Sequence, residues 1–205
     1  MKIGIYNANL HTMGGGEKHI GVVAEFLSKN HDVEFICSED IDKDILCKKL
    51  NLDLSNVSIR PLGLEHDNEK YSEVSAEYDF FINCTYLSTL KSRCTKSAML
   101  VWFPRIWNRK FPAWVKYSTY SFLNKTVFRF TKDTGIHFLN RFYQSQHNFI
   151  EEREYIPTYD LFIANSKYTQ KWIKKELGVD SEILYPPIDV DEFIKKKKEN
   201  IILSV

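Results

Sequence analysis

Short apolar stretches alternate along the chain with stretches of helical periodicity, and this alternation limits the folds that the chain can adopt. The apolar stretches before residue 104 are Lys2–Asn7, Asp32–Cys37, Val57–Arg60, Tyr78–Asn83 and Ala98–Phe103. Between them, Gly16–Asn30 and Ile41–Leu50 carry apolar residues at helical spacing. Strands that alternate with helices predict βαβ units, and therefore an α/β fold with a mostly parallel sheet and helices on both faces.

The same alternation returns near the end of the chain, after an aromatic-rich middle section. We predict a strand at Asp160–Asn165, a helix at Lys167–Leu177 and a short strand at Ser181–Tyr185. Ser166 is a good N-cap for that helix, and Gly178 suits the position just after its end. In the middle section, Ile136–Ile150 has helical spacing, whereas Trp114–Phe130 fits a helix and a strand equally well.

The last residues suggest a second unit. Ile188–Lys198 looks like a linker that contains a lysine run, and Asn200–Val205 looks like a further strand. That strand either pairs back onto the first sheet or opens another domain, and we favour the second alternative. We therefore expect residues 1–187 to form one domain and residues 188–205 to be a linker and the first strand of a C-terminal domain.

Composition and charge exclude several classes of protein. The chain has 205 residues, a formal net charge of +1 and 43% hydrophobic residues, which argues against a disordered chain and against a generally basic nucleic-acid binder. No apolar stretch is long enough to span a bilayer. The four cysteines form no CxxC pair, so we expect no zinc site, no other metal and a reduced, cytoplasmic setting.

Three consecutive glycines, Gly14, Gly15 and Gly16, separate the first predicted strand from the first helix. Amides at a helix N-terminus attract anions, and glycine lets a ligand approach the backbone. The loop is not a P-loop, because no Gly-Lys-Ser/Thr follows, and His19 stands where the dinucleotide fingerprint needs its third glycine. Glu39 or Asp40 at the end of the second strand could hold a ribose, so a dinucleotide site stays open as an alternative. A turn that binds no ligand is the other alternative.

Three segments of the sequence resemble family 4 glycosyltransferases. They are Met13–Val33 with its glycine loop, Ala164–Ile173, and Leu184–Phe193 followed by Ile201–Val205. The resemblance implies the N-terminal, acceptor-side half of a GT-B fold, with a Rossmann-like domain. It also implies transfer of a hexosyl group from a nucleotide-sugar to an acceptor hydroxyl, with retention and without metal or cofactor. In the family, the donor diphosphate is held mainly by the C-terminal domain, so this chain alone is expected to bind acceptor and to be inactive.

The resemblance also implies a set of substrate-binding residues. They are Gly14, Gly15, Gly16, Glu17, Trp102, Arg105, Asn165 and Ser166. Relatives that act on lipid-linked mannose oligosaccharides often have a histidine where this chain has Trp102, and tryptophan cannot transfer a proton. Trp102 is then a wall of the sugar site or a packed core aromatic, and Ser166 has the alternative role of a plain helix cap. His11 is a weak candidate to replace the imidazole, and the catalytic residue stays unassigned.

A basic, aromatic stretch runs from Arg105 to Lys132, with seven cations and no acid. Such a stretch suits an anionic membrane interface, and we predict a membrane surface that includes Arg109, Lys110, Trp114 and Lys116. The alternative is an internal helix whose lysines reach water, and we expect no nucleic-acid partner. Two other functions remain open: an NAD-type binding domain of an oxidoreductase, and a non-catalytic membrane-binding or protein-binding module on the same fold.

Overall fold

A computed structural model describes residues 1–104 and 153–188, and these residues form an α/β fold. The strands are β1 Lys2–Tyr6, β2 Asp32–Cys37, β3 Val57–Pro61, β4 Phe80–Asn83, β5 Ser97–Val101, β6 Leu161–Ala164 and β7 Glu182–Ile183. The helices are α1 Gly15–Leu27, α2 Lys43–Leu50, α3 Glu69–Ser75 and α4 Lys167–Leu177. The strands pair in parallel in the order β3-β2-β1-β4-β5-β6-β7, which confirms the predicted Rossmann-like sheet.

Helices cover both faces of the sheet. Successive residues of a strand point to opposite faces, so each strand contributes to two buried clusters. In β1, Ile3 and Ile5 belong to one buried cluster and Tyr6 belongs to the other. The first cluster also contains apolar residues of α1 and α2, and the second contains those of α3 and α4. Helices therefore pack on both faces, which explains why the strands read as continuous apolar runs in the sequence.

The predicted ends of α4 are confirmed. The Ser166 hydroxyl accepts a hydrogen bond from the Thr169 amide at 3.1 Å, and this satisfies one of the unpaired amides of the first turn. Gly178 closes the helix with a φ of 82°, a left-handed conformation that favours glycine. Local side-chain chemistry thus sets where α4 begins and ends.

Helix α3 was not predicted from the sequence. It spans Glu69–Ser75, directly before β4, in a stretch that is mostly polar. The Asn68 side chain accepts from the Lys70 amide and begins the helix, while Tyr71 and Val74 bury one side of it. Two apolar anchors in seven residues are too few for a periodic signal, so packing against the sheet decides this helix.

Several predicted features lie outside the described residues. These are the helix at Ile136–Ile150, the ambiguous Trp114–Phe130, most of the linker that begins at Ile188 and the strand at Asn200–Val205. The proposed division at residue 187 stays a prediction. Within the two described ranges, the longest apolar helix falls short of what a bilayer crossing requires.

Candidate functional site

The candidate site lies at the edge of the sheet where the parallel strands end. The strand order reverses direction at β1, whose neighbours are β2 and β4, and ligands of open α/β sheets bind beside such a switch point. The glycine loop follows β1, Trp102 follows β5, and Asn165 and Ser166 follow β6. The fold therefore brings these predicted residues to one edge, although they are far apart in the chain.

Glu17 organises the glycine loop from within the first turn of α1. Its carboxylate accepts hydrogen bonds from the Gly14 amide at 2.8 Å, the Thr12 hydroxyl at 2.9 Å and the Asn7 side-chain amide at 3.2 Å. A carboxylate at this end of a helix interacts favourably with the helix dipole. Glu17 thus holds the loop in place, and its negative charge weakens any attraction of the same helix end for a free anion.

Gly15 and Gly16 differ in what surrounds them. A Cβ atom added at Gly15 would meet nothing within 4 Å, so the backbone is open to a ligand at this point. A Cβ atom added at Gly16 would lie 3.3 Å from Cζ2 of Trp102, which is a tight contact. Glycine at position 16 therefore lets the indole lie against the start of α1.

Trp102 lies between α1 and the end of β4. Its indole N–H donates a hydrogen bond to the backbone carbonyl of Cys84 at 2.7 Å, and its ring is half-buried. The His19 ring meets it edge-on, with 5.4 Å between the ring centroids. The indole is thus anchored by packing, and its role as a wall of a sugar site stays a prediction.

The two histidines that flank the glycine loop occupy different environments. His19 is 1% exposed, and neither ring nitrogen has a hydrogen-bond partner. Burial lowers the pKa of His19, because a charged imidazole would lose its hydration there. His11 is exposed, and its Nδ1 lies 3.8 Å from the carboxylate of Glu39, which follows β2.

The loop after β6 is tied to the residue after β5. The Thr169 hydroxyl lies 2.6 Å from Oδ1 of Asn165 and 3.4 Å from the backbone carbonyl of Trp102. Ser166 donates to Asn165 at 3.2 Å in addition to capping α4. Ser166 and Asn165 therefore fix the start of α4 beside Trp102, so the structure provides the capping role that the sequence offered as an alternative.

A polar network beside the switch point was missed by the sequence reasoning. The Asp67 carboxylate accepts from the Ser88 hydroxyl and from the Thr89 amide, each at 2.6 Å, and the Asp67 amide donates to the Tyr6 hydroxyl at 3.1 Å. Asn83, the last residue of β4, donates to Ser88 at 2.9 Å. The only available signal was the position of Asn83 at the end of an apolar strand, because Asp67 lies in a loop with no recognisable motif.

Three buried side chains beside the switch point are uncharged at neutral pH. Burial raises the pKa of the Tyr6 and Tyr159 hydroxyls and raises that of the Cys84 thiol well above its usual range. Cys84 is therefore not a thiolate nucleophile. In residues 1–104 and 153–188, no group of three or more histidine, cysteine or acidic side chains has an arrangement that suits a metal ion.

Several groups at this edge of the sheet are exposed enough to contact a ligand. Gly15 offers open backbone, Trp102 offers a half-buried indole, and Asn165 offers a partly exposed side-chain amide at the same side of the sheet. Such groups can hydrogen-bond to hydroxyls and stack on an apolar ring face. This edge therefore combines open backbone, an aromatic ring and an amide group with the carboxylates of Glu17 and Asp67.

Five residues with predicted roles fall outside the part of the chain that the structure describes. They are Arg105 of the substrate-binding set and the membrane-surface residues Arg109, Lys110, Trp114 and Lys116. Their roles stay predictions. The sequence matches no family model and no curated protein.

Proposed function

We propose that the chain is the acceptor-side domain of a glycosyltransferase that moves a hexosyl group from a nucleotide-sugar to an acceptor hydroxyl. The observation that carries the proposal is the open backbone at Gly15, next to Gly16 against which the anchored indole of Trp102 lies, at the switch point of a Rossmann-like sheet. The resemblance of three sequence segments to family 4 glycosyltransferases supports the same reaction.

The chemistry of the edge supports an acceptor better than a donor. A nucleotide-sugar carries a diphosphate, and a carboxylate already lies against the glycine loop at Glu17. The hydroxyls and ring of an acceptor sugar are neutral, so the loop carboxylate does not repel them, and tryptophan is a favoured partner for the apolar face of a sugar ring. We therefore assign the acceptor to this domain and the donor diphosphate to the C-terminal domain that the resemblance implies.

Within the proposal, this domain contributes positioning. Holding an acceptor hydroxyl in line with the donor removes much of the entropic barrier to transfer, and stabilising the departing diphosphate lowers the rest. The hydrogen bonds of Glu17 and the contact between Gly16 and Trp102 keep the acceptor side rigid. Retention of configuration, independence from metal and a lipid-linked acceptor belong to the same proposal and rest on the resemblance.

Glycan binding tests the acceptor assignment. The chain is screened against an array of glycans, and hits are measured by saturation-transfer NMR. Gly15→Val is expected to abolish binding of any hit while the far-ultraviolet spectrum and Tm stay unchanged, because the position has open space for a side chain. Asn30→Val, an exposed change beyond the opposite end of α1, serves as the matched control and should leave binding intact. Undiminished glycan binding by a folded Gly15→Val variant would contradict the proposal.

Calorimetry with nucleotides separates the proposal from its main rival. The carboxylate of Glu39 lies 3.8 Å from Nδ1 of His11, which precedes the glycine loop, and an acid after the second strand could hold the ribose of a dinucleotide. We expect nucleotide-sugars to bind no tighter than about millimolar, equivalent to roughly 4 kcal/mol. Micromolar affinity for NAD that is lost in Glu39→Gln would favour the oxidoreductase domain. Micromolar affinity for a nucleotide-sugar would mean that the donor site is assigned to the wrong domain.

A further inference from the structure

The exposed face of α4 is basic and aromatic. Lys167, Lys171, Lys174 and Lys175 are exposed along it, and Tyr168 is 63% exposed. The opposite face packs on the sheet through Ile173, and the helix's one acid, Glu176, is 4% exposed. The outer face of α4 therefore carries cations without an acid between them, a pattern distinct from that of the predicted stretch at Arg105–Lys132.

Three aromatic rings form a cluster on this face. Phe103 and Tyr168 are stacked with 6.1 Å between ring centroids, and Trp172 lies 5.7 Å from Phe103 and 6.3 Å from Tyr168. The Lys175 ammonium lies 4.1 Å from the centroid of Trp172. The cluster is held by contacts between its own members, so a partner that binds it loses little side-chain freedom.

We infer that this face of α4, with Phe103, docks on the surface of an anionic lipid bilayer. Charge complementarity carries the inference, because four exposed lysines lie on this 11-residue helix and its one acid is buried. Lysine is a compact, strongly hydrated charge that suits a diffuse anionic surface. Tryptophan and tyrosine prefer the boundary between lipid headgroups and hydrocarbon.

An ion pair at the end of the helix does not remove the charge. Lys174 contacts Asp180 at 2.7 Å, but the Asp180 side chain is 92% exposed, and such a pair contributes little. A single-stranded nucleic acid would need a groove that follows its backbone, whereas a helix face is convex. The bilayer is therefore the occupant that fits both the shape and the charge of this face.

The inference goes beyond the proposed function and does not depend on it. Vesicle binding is read without donor or acceptor, so glycan binding can fail while lipid binding succeeds, and the reverse. The face also lies within the described residues, unlike the membrane surface predicted at Arg109–Lys116.

Co-sedimentation with vesicles tests the inference. The full chain is mixed with phosphatidylcholine vesicles that contain 0 or 30% phosphatidylserine, at low and high salt. Binding is expected only with phosphatidylserine and should weaken with salt. Lys171→Glu with Lys175→Glu should weaken binding at least 20-fold, since each lysine near an anionic surface is worth about 5-fold. Tyr168→Ser should weaken it by roughly 5-fold through lost apolar contact.

A matched control uses the same charge change on another helix. Lys48→Glu with Lys49→Glu reverses two exposed lysines in the last turn of α2, which packs on the other face of the sheet. This control should lose less than 3-fold of its affinity for anionic vesicles, because binding is expected to depend on the α4 face and not on the protein's net charge. A neutral pair, Lys171→Gln with Lys175→Gln, keeps the test valid if the acidic pair does not fold.

Three outcomes would overturn the inference. The first is sedimentation that does not depend on lipid charge. The second is an equal loss of binding in the α2 control, which would indicate a general charge effect. The third is a single-stranded oligonucleotide that binds more tightly than the anionic vesicles and competes with them through Lys171 and Lys175, which would make nucleic acid the occupant.

Discussion

His19 makes the stability of this protein depend on pH, and the dependence has a predictable sign. The imidazole is almost completely buried beside Trp102, and its two nitrogens have no hydrogen-bond partner. Burial lowers its pKa from the usual value near 6.5. Below that pH, the unfolded chain binds a proton at His19 while the folded protein resists doing so. The free energy of unfolding must therefore decrease as the pH falls.

The size of this decrease follows from proton linkage. If His19 stays neutral in the folded state, its contribution to the free energy of unfolding falls by about 1.3 kcal/mol between pH 7.0 and pH 5.5. The limiting slope is about 1.4 kcal/mol per pH unit. The carboxylates that are stabilised in the folded state, such as Glu77 beside Arg60, lose their contribution at lower pH, as they become protonated.

Urea unfolding at pH 7.0 and 5.5 measures the effect. His19→Leu replaces the imidazole with an apolar side chain, and it should reduce the acid-induced loss of stability by up to about 1.3 kcal/mol, the limit for an imidazole that stays neutral. Its stability at pH 7.0 should equal or exceed that of the wild type, because no hydrogen bond is lost. Asn30→Val, an exposed change that alters no titratable group, is the control and should keep the wild-type pH dependence. Equal pH dependence in the wild type and His19→Leu would refute this reasoning.

Three further substitutions test how the site is supported, each measured by urea unfolding at pH 7. Gly4→Ala should destabilise the protein by about 1–3 kcal/mol, since the new Cβ would lie 2.7 Å from ring atoms of buried Tyr78; unchanged stability would mean that the ring moves aside. Tyr159→Phe should cost about 1–3 kcal/mol, because the buried hydroxyl donates to the Leu90 carbonyl at 2.7 Å, and a loss below 0.5 kcal/mol would show that another donor replaces it. Ser166→Ala removes the cap of α4 and should cost about 1 kcal/mol, whereas Ser166→Thr, which keeps the hydroxyl, should cost less.

Several elements could be predicted because their signals are local. β2 at Asp32–Cys37 and α4 at Lys167–Leu177 have the predicted bounds, since apolar periodicity and capping residues act within a few positions. Strand β5 ends at Val101, earlier than predicted, because Trp102 and Phe103 are apolar without being part of the ladder. Periodicity identifies burial but does not distinguish a strand from the packed loop that follows it.

The candidate site also combines features that local sequence signals reveal with features that they do not. The glycine loop, Trp102 and Ser166 were identified from sequence because glycine clusters, a departure from a motif and a helix cap are visible in one dimension. The hydrogen-bond partners of these residues could not be identified from sequence. Glu17 accepts three hydrogen bonds only because the loop folds back over it. No sequence signal indicated that His19 is almost completely buried at this edge.

The sequence by itself determined the element types and the fold class, because alternating strand and helix signals admit few architectures other than a parallel sheet covered on both faces. Only the tertiary structure decided which loops meet. The strand order places β1 next to β4 and β5 next to β6, and this order brings Gly16 against Trp102 and the start of α4 beside Trp102. Contacts between distant segments depend on the packing of whole strands and helices, and no local pattern of residues encodes them.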